Sequence, residues 1–242
     1  MNQKPDTPNR ADFAHVTDWV FDLDNTLYPR RTNLFAQIDR NMTAYVAELL
    51  SLPEDEARAM QKRYYREHGT TLAGLMHHHG IDSNAFLERV HDIDYSHVEP
   101  DPALGRAIAA LPGRKFIFTN GDTRHARRTA EALGVLDHFD DIFDIVAADL
   151  VPKPAGETYD KFLGLNRIDA ANAAMFEDLP RNLTVPKSLG MRTVLVVPSN
   201  MKEAVGESWE HERTHDEAID YVTDDLAGFL VALGPQIARA TG

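Results

Sequence analysis

Two carboxylates follow an apolar run near the amino terminus. In the stretch FDLDNTLYP, residues 21–29, one apolar residue separates Asp22 from Asp24. Side chains at this spacing on a strand end point to the same side, and the two acids raise each other's pKa unless a cation lies between them. A hard ion such as Mg²⁺ would offset the repulsion, so that one acid could act as nucleophile while the other exchanges a proton. An Asp-x-Asp pair alone is also typical of a turn.

A second polar cluster, TNG, ends a later apolar run. Thr119 offers a hydroxyl, Asn120 a carboxamide, and Gly121 a backbone amide that can approach an anion closely. Taken alone, these three residues are also an ordinary turn. In combination with other charged groups, they would bind the oxygens of an anionic substrate.

A cation and an acidic pair complete the set. Lys153 stands between two prolines in VPKP, which restrict the backbone that carries its ammonium group. Glu177 and Asp178 follow a further apolar run and are either acids at a helix amino terminus or metal ligands. The four clusters together supply a nucleophile, a proton-transfer acid, anion donors, a cation and metal ligands. This set fits phosphoryl transfer, in which catalysis is mainly positioning and stabilisation of charge.

Strand and helix patterns alternate along most of the chain and predict how these clusters meet. Apolar segments rich in Val, Ile and Phe end in polar turns at DWVFDLD, KFIFTNGD, DIVAADLVPKP, AAMFEDLP and RTVLVVP. Helical patterns between such segments predict a parallel sheet with helices on its faces. In that architecture, functional residues collect at the carboxyl ends of the strands, which is where every cluster falls.

One long interval contains helical patterns and no convincing strand. Apolar residues from Leu34 to Leu49 recur at three and four positions, and Ser51 to Glu54 has the spacing of a capping box for the next helix. We predict a catalytic core of residues 1–29 and 101–242 and a helical domain of residues 30–100. Three histidines, 77–79, are interpreted as a polar helix end, because consecutive helical residues do not face one another.

Composition narrows the class of protein. The chain has 242 residues, no cysteine and a formal net charge of −13. Such an acidic chain without a dominant basic cluster argues against a nucleic-acid partner, and the lack of cysteine excludes disulfides and sulfur-bound zinc. No apolar run approaches the ~20 residues needed to cross a bilayer, and the amino terminus lacks a secretion signal. We expect a soluble cytoplasmic protein without a membrane partner, and the sequence leaves its oligomeric state open.

The order FDLDNTLY, FTNGD, VPKP and FEDLPRNL closely resembles the four-motif series of the haloacid dehalogenase superfamily, from Asp18 to Leu230. The stretch YYREHGTTLAGL and the form of the last motif resemble the pyrimidine 5′-nucleotidase branch. The resemblance implies a Rossmann-like α/β core with a helical cap inserted after the first strand. It also implies a Mg²⁺-dependent phosphomonoesterase, most specifically one for pyrimidine nucleoside 5′-monophosphates.

The resemblance assigns catalytic roles to individual residues. It implies that Asp22 attacks phosphorus to form an aspartyl-phosphate, and that Asp24 protonates the leaving oxygen and then activates water. Family members that displace halide lack a second acid at the position of Asp24. Thr119 and the amide of Asn120 correspond to phosphate binders, and Lys153 corresponds to the cation that steadies the nucleophile and the transferring group.

The same resemblance implies how Mg²⁺ is held. Its ligands would be the carboxylate of Asp22, the main-chain oxygen of Asp24 and the carboxylate of Asp178, with Glu177 joining directly or through water. Many relatives have a further aspartate four residues after the main ligand, where this chain has Asn182. We expect Asn182 to lie beyond the direct ligands and to contribute one negative charge fewer.

Residues of the cap would set substrate choice. We predict that Tyr65 and Thr71 bind substrate, with Asn33, Tyr64 and Thr70 as further candidates; the tyrosines can stack on a base or, equally, form the bundle core. Two other functions stay open: a phosphatase or mutase for sugar phosphates or other small metabolites, and a non-catalytic phospho-ligand-binding protein. The latter predicts loss of a catalytic group, whereas all four clusters are intact.

Overall fold

A parallel sheet forms the centre of the molecule. The computed structural model describes residues 7–199 and 216–234. Within these residues six strands pair in parallel in the order β3-β2-β1-β4-β5-β6, which confirms the predicted α/β class. The strands are β1 (Asp18–Phe21), β2 (Arg114–Phe118), β3 (Asp141–Phe143), β4 (Ala173–Glu177), β5 (Arg192–Val196) and β6 (Tyr221–Thr223).

The strand order brings distant parts of the chain to one edge of the sheet. Strand β1 lies between β2 and β4, with Phe21 opposite both Ile117 and Phe176. Because the three strands are parallel, the loops that leave their carboxyl ends emerge side by side. These loops contain residues 22–24, 119–121 and 178, and the side chain of Glu177 belongs to the last residue of β4.

Both faces of the sheet are buried, which explains the continuous apolar runs of its strands. Trp19 and Phe21 of β1 pack into one apolar cluster and Val20 packs into the other. Five helices of the described chain pack around the sheet. No helix among the described residues is long and apolar enough to span a bilayer. The five helices around the sheet are α5 (Pro102–Ala109), α6 (Thr123–Leu133), α7 (Gly156–Asn166), α8 (Thr184–Ser188) and α9 (Leu226–Leu233).

Four helices occupy the interval between β1 and α5. Helix α1 packs against α2 and α4, and α2 packs against α3. Leu34, Ile38 and Val46 of the apolar stripe of α1 are buried as expected, whereas Phe35 and Leu49 are exposed. Ser51 ends α1 in a left-handed conformation and makes no capping box for α2. The division into a core and an inserted domain stays a prediction. The helices are α1 (Leu34–Leu50), α2 (Glu54–His68), α3 (Thr71–His79) and α4 (Ser83–Val90).

The third apolar run was predicted as a strand, and this is wrong. Strand β3 ends at Phe143, before the run DIVAADLVPKP, and the following residues form turns. The carboxylate of Asp144 accepts hydrogen bonds from the amides of Thr123 and Ala147, 2.7 and 2.8 Å away. Side-chain bonds of this kind compete with strand pairing, so the backbone turns instead of extending.

Candidate active site

All ten residues predicted for the site line one cavity of about 550 Å³. The sheet loops provide one wall, and α2 and α3 contribute to the other. The ten residues are Asp22, Asp24, Tyr65, Thr71, Thr119, Asn120, Gly121, Lys153, Glu177 and Asp178. Residues separated by more than 150 positions in the sequence therefore face a single space.

The ammonium group of Lys153 holds the first and last acidic clusters together. Lys153 is 1% exposed, and its Nζ donates hydrogen bonds of 2.8 Å to Asp22 Oδ1, Glu177 Oε2 and the carbonyl of Phe118. These three bonds use every proton of the ammonium group. Burial lowers the pKa of Lys153, but Asp22 and Glu177 outweigh burial and raise it above its ordinary value. The lysine is therefore a fixed positive charge beside Asp22.

Negative charge in the site is only partly compensated. Burial and the charge of Glu177 raise the pKa of Asp22 to about 7, although Lys153 opposes this shift. Burial, Glu177 and Asp22 also raise the pKa of Asp178, with Arg30 Nη2 opposing from 3.3 Å away. A further cation would lower both raised pKa values.

The acidic group fits a hard divalent cation. Asp22, Glu177 and Asp178 each present a carboxylate oxygen within 4.8 Å of the others, and oxygen ligands of this type suit Mg²⁺. Asn182 lines the same cavity, and its Oδ1 is buried without a hydrogen-bond partner among the described residues. A water molecule on a bound cation would supply the donor that this oxygen lacks. The role of the Asp24 main-chain oxygen stays a prediction.

Asp24 is held from one side by a tyrosine and a histidine. Its Oδ1 accepts a hydrogen bond from Tyr28 and another, 2.8 Å long, from Nε2 of fully buried His125. Burial favours a higher pKa for Asp24, but His125 and Tyr28 outweigh it, and the pKa of Asp24 is lowered. These two donors fix the carboxylate of Asp24, which lines the cavity.

His125 is itself fixed by its surroundings. Its Nδ1 lies 2.8 Å from the hydroxyl of Tyr95, whose pKa is raised by burial. The imidazole of His91 stacks on that of His125 with ring centroids 4.7 Å apart, and Asp122 Oδ2 lies 3.1 Å from His91 Nδ1. The hydrogen bond to Asp24 places a proton on Nε2 of His125.

Two groups of the TNG loop already make hydrogen bonds within the protein, and the role of the loop in binding an anion stays a prediction. The carboxamide of Asn120 accepts the Lys153 amide proton at 2.9 Å and lies 3.4 Å from the Lys153 carbonyl oxygen, so it fixes the loop that carries the lysine. The amide of Gly121 donates to Thr119 Oγ1 at 2.9 Å and is already engaged. A Cβ at Gly121 would lie 3.3 Å from His125 Cδ2, so glycine permits the close approach of this histidine.

The helical wall of the cavity meets the core through Tyr65. The guanidinium carbon of Arg181 lies 4.7 Å from the Tyr65 ring centroid. Farther along this wall, Asp39 accepts hydrogen bonds of 2.9 Å from both Arg58 and Lys62. Thr71 is buried, with Oγ1 3.5 Å from the carbonyl oxygen of Gln61. Asn33 and Thr70 also line the cavity.

The structure does not bring Tyr64 to the site. Tyr64 is 2% exposed, its hydroxyl lies 2.7 Å from His79 Nε2, and it is absent from the cavity lining. An added Cβ at Gly74 of α3 would lie 2.4 Å from the Tyr64 Cβ. Tyr64 is therefore part of the bundle core, which is one of the two alternatives that the sequence left open for the tyrosines.

Sequence reasoning missed His125, Tyr28 and Arg30. His125 stands three residues after Asp122, the amino-terminal cap of α6, and Tyr28 stands four residues after Asp24. The available signal for His125 was its place in the first turn of the helix that follows TNG. A polar residue there faces the carboxyl edge of the sheet, where a parallel α/β fold builds its sites.

Comparison with known proteins agrees with this geometry. A family model described as a haloacid dehalogenase-like hydrolase matches residues 20–190. Phosphate metabolism protein 8 of Saccharomyces cerevisiae (strain ATCC 204508 / S288c) is 28% identical over 196 residues, which are 73% of this chain and 60% of the yeast protein. The chain thus spans less than two thirds of that relative's length.

Two of the similar solved structures each cover more than nine tenths of the chain. A HAD phosphatase from Thermococcus onnurineus has a TM-score of 0.58 at 18% identity, covering 91% of this chain and 99% of its own. The L-2-haloacid dehalogenase from Xanthobacter autotrophicus has a TM-score of 0.57 at 18% identity, covering 94% of this chain and 100% of its own. At this identity the likeness shows a shared fold, and it does not separate the two reactions.

Proposed function

The chain belongs to the haloacid dehalogenase-like hydrolase family, and on that premise we propose that it is a Mg²⁺-dependent phosphomonoesterase. The observation that carries the proposal is a second acid in the cavity of the nucleophile. Asp24 lines the same space as Asp22 and Lys153, with one oxygen held by His125. A reaction that displaces halide has no use for a second acid, whereas an ester oxygen needs a proton to leave.

Catalysis would proceed in two displacements on Asp22. In the first, a carboxylate oxygen of Asp22 attacks phosphorus, and the bond to the ester oxygen breaks as that oxygen takes a proton from Asp24. In the second, a water molecule gives a proton to Asp24 and attacks the aspartyl-phosphate, which releases inorganic phosphate and frees Asp22. Atoms and protons balance as one ester plus one water giving one alcohol plus one phosphate.

The other polar groups would stabilise charge. Lys153, already bound to Asp22 and Glu177, would offset the negative charge that accumulates on the transferring group. Mg²⁺, held by Asp22, Asp178 and Glu177, would supply charge neutralisation for the phosphoryl oxygens. Thr119 and the backbone amide of Asn120 would donate to those oxygens, while the Asn120 carboxamide keeps the lysine loop in place.

Pyrimidine nucleoside 5′-monophosphates are the proposed substrates. The cavity volume of about 550 Å³ suits a small-molecule ligand. Tyr65 offers a ring for stacking in the cavity that contains the acids, and Thr71 lines the same cavity. Bringing a base against Tyr65 requires Arg181 to share or yield one face of the ring. A second candidate class is sugar phosphates, because Asp39 and its basic partners offer polar contacts for hydroxyl groups.

A panel of phosphate esters tests the proposal. Phosphate release from UMP, CMP, purine monophosphates, sugar phosphates and an aryl phosphate would be measured with Mg²⁺ for the parent chain and for Asp22→Asn. The matched control is Asp55→Asn, an exposed aspartate of α2 that is outside the cavity lining. We expect preference for UMP and CMP in the parent and the control, and none of the activity in Asp22→Asn.

Each alternative has its own outcome in this panel. Hydrolysis of sugar phosphates without preference for UMP or CMP would replace the nucleotidase proposal with the second candidate. Binding of nucleotides without turnover of any ester by the parent chain would support a non-catalytic phospho-ligand-binding protein. Turnover of the aryl phosphate by Asp22→Asn at the parent rate would refute the nucleophile itself.

A further inference from the structure

A group of histidines lies at the ends of α2 and α3, outside the cavity. Glu67 and His68 belong to the last turn of α2, and His78 belongs to the last turn of α3. None of the three lines the cavity, and Glu67 and His78 are exposed. The proposed reaction leaves these side chains unexplained.

Close packing of the two helices brings the histidines together. Tyr64 and His68 are four residues apart on one face of α2, and Gly74 and His78 are four apart on one face of α3. Since Gly74 has no side chain, the backbone of α3 approaches Tyr64 closely. The Tyr64 and His78 rings stack with centroids 5.0 Å apart, which orients the His78 imidazole toward His68.

The spacing of the donor atoms is that of two ligands on one ion. His68 Nε2 and His78 Nε2 lie 3.1 Å apart. Zn–N bonds of about 2.0–2.1 Å separate two nitrogen ligands by roughly 2.9 to 3.4 Å, from right-angled to tetrahedral coordination. A carboxylate oxygen of Glu67 lies within 4.8 Å of one ring nitrogen of each histidine.

We propose that Glu67, His68 and His78 form a surface site for a borderline divalent transition-metal ion such as Zn²⁺. Two imidazoles and one carboxylate prefer zinc, nickel or copper, whereas the all-oxygen group at the cavity prefers Mg²⁺. The site does not depend on the proposed phosphatase activity.

The site would join two helices beside a contact with the catalytic core. Gly69 follows His68, and a Cβ at Gly69 would lie 3.2 Å from Pro152 Cγ. Pro152 immediately precedes Lys153. An ion bound to His68 and His78 would fix the end of α2 next to this contact.

Calorimetric titration with ZnCl₂ tests the site directly. Untagged protein would be titrated in excess Mg²⁺, so that the oxygen group at the cavity is occupied, and His68→Gln, His78→Gln and Glu67→Gln would be compared with the parent. His97→Gln is the matched control, because His97 is exposed and bonds the Thr32 carbonyl instead of this cluster. We expect the parent and His97→Gln to bind one equivalent of Zn²⁺. Affinity should be at least about tenfold weaker in His68→Gln and in His78→Gln, because loss of one ligand removes 1.4 kcal/mol or more of binding free energy.

Several outcomes would overturn this site. The proposal fails if the parent binds no Zn²⁺, if His68→Gln and His78→Gln bind it as tightly as His97→Gln, or if Asp178→Asn loses it while His78→Gln keeps it. Circular dichroism of each variant establishes that the helices persist, and two separate histidine variants keep the test decisive if one of them fails to fold. The titration measures Zn²⁺ binding and not phosphate release, so its result does not depend on whether the proposed phosphatase reaction is correct.

Discussion

Replacement of Asp22 by Asn should stabilise the metal-free protein at alkaline pH while abolishing its activity. Asp22 is 6% exposed and lies beside Glu177, so its ionised form is disfavoured without a bound cation. Lys153 compensates only in part. Asparagine removes the charge and keeps an oxygen that accepts from Lys153 Nζ, which also remains bonded to Glu177 and Phe118.

The magnitude follows from the raised pKa of Asp22. Burial and Glu177 raise it from 3.8 to about 7. An acid with a higher pKa in the folded state stabilises the fold fully below its unfolded pKa, and this contribution is lost as pH rises through the folded pKa. Between the unfolded and folded pKa values, each pH unit lowers the free energy of unfolding by about 1.36 kcal/mol. From pH 5 to pH 7, which is two units, the loss is therefore about 3 kcal/mol. Asp178 shifts in the same direction, partly because of Asp22.

Urea unfolding in EDTA at pH 5 and pH 8 measures this effect, with the buried Trp19 as a fluorescence reporter. The free energy of unfolding of Asp22→Asn minus that of the parent should increase by about 3 kcal/mol between the two pH values. Asp55→Asn, which changes an exposed aspartate in the same way, should show no such increase. An equal difference at both pH values would refute the reasoning, because Asp22 would then be ionised in the fold at pH 5.

Three further outcomes are expected. Lys153→Met should lower kcat for an aryl phosphate by about a hundredfold or more because a charge partner of the transferring group is lost, and steady-state kinetics within tenfold of the parent would contradict this. His125→Gln should move the limb of the pH–rate profile that depends on Asp24 to higher pH, because His125 lowers the pKa of Asp24; an unchanged profile of kcat/KM would argue against the contact. EDTA should stop phosphate release, and added Mg²⁺ should restore it. More Mg²⁺ should be needed at pH 6 than at pH 8, because protonation of Asp22, whose pKa is about 7, competes with binding of the ion. An equal half-saturating Mg²⁺ concentration at both pH values would count against Asp22 as a ligand.

The spacing of apolar residues was sufficient to predict which side chains are buried where a single helix or strand determines the burial. The stripe of α1 depends only on helical periodicity, and Leu34, Ile38 and Val46 are buried as the spacing predicts. The grouping of the first, second and last polar clusters follows from parallel strands that share a carboxyl edge, and these clusters line one cavity. Lys153 reaches the same cavity from a loop ten residues beyond β3. Pattern was a poor guide after Phe143, where hydrogen bonds of the Asp144 side chain override an apolar run.

The sequence by itself determined the α/β class, the location of three of the four polar clusters at strand ends and the family to which the chain belongs. Only the tertiary structure decided which groups are partners: Asn120 with the backbone of Lys153, His125 with Asp24, and His68 with His78. Residue type and spacing determine which face of a helix or strand a side chain occupies. Contacts between elements far apart in the chain depend on how closely those elements pack, and adjacent positions in the sequence do not encode that distance.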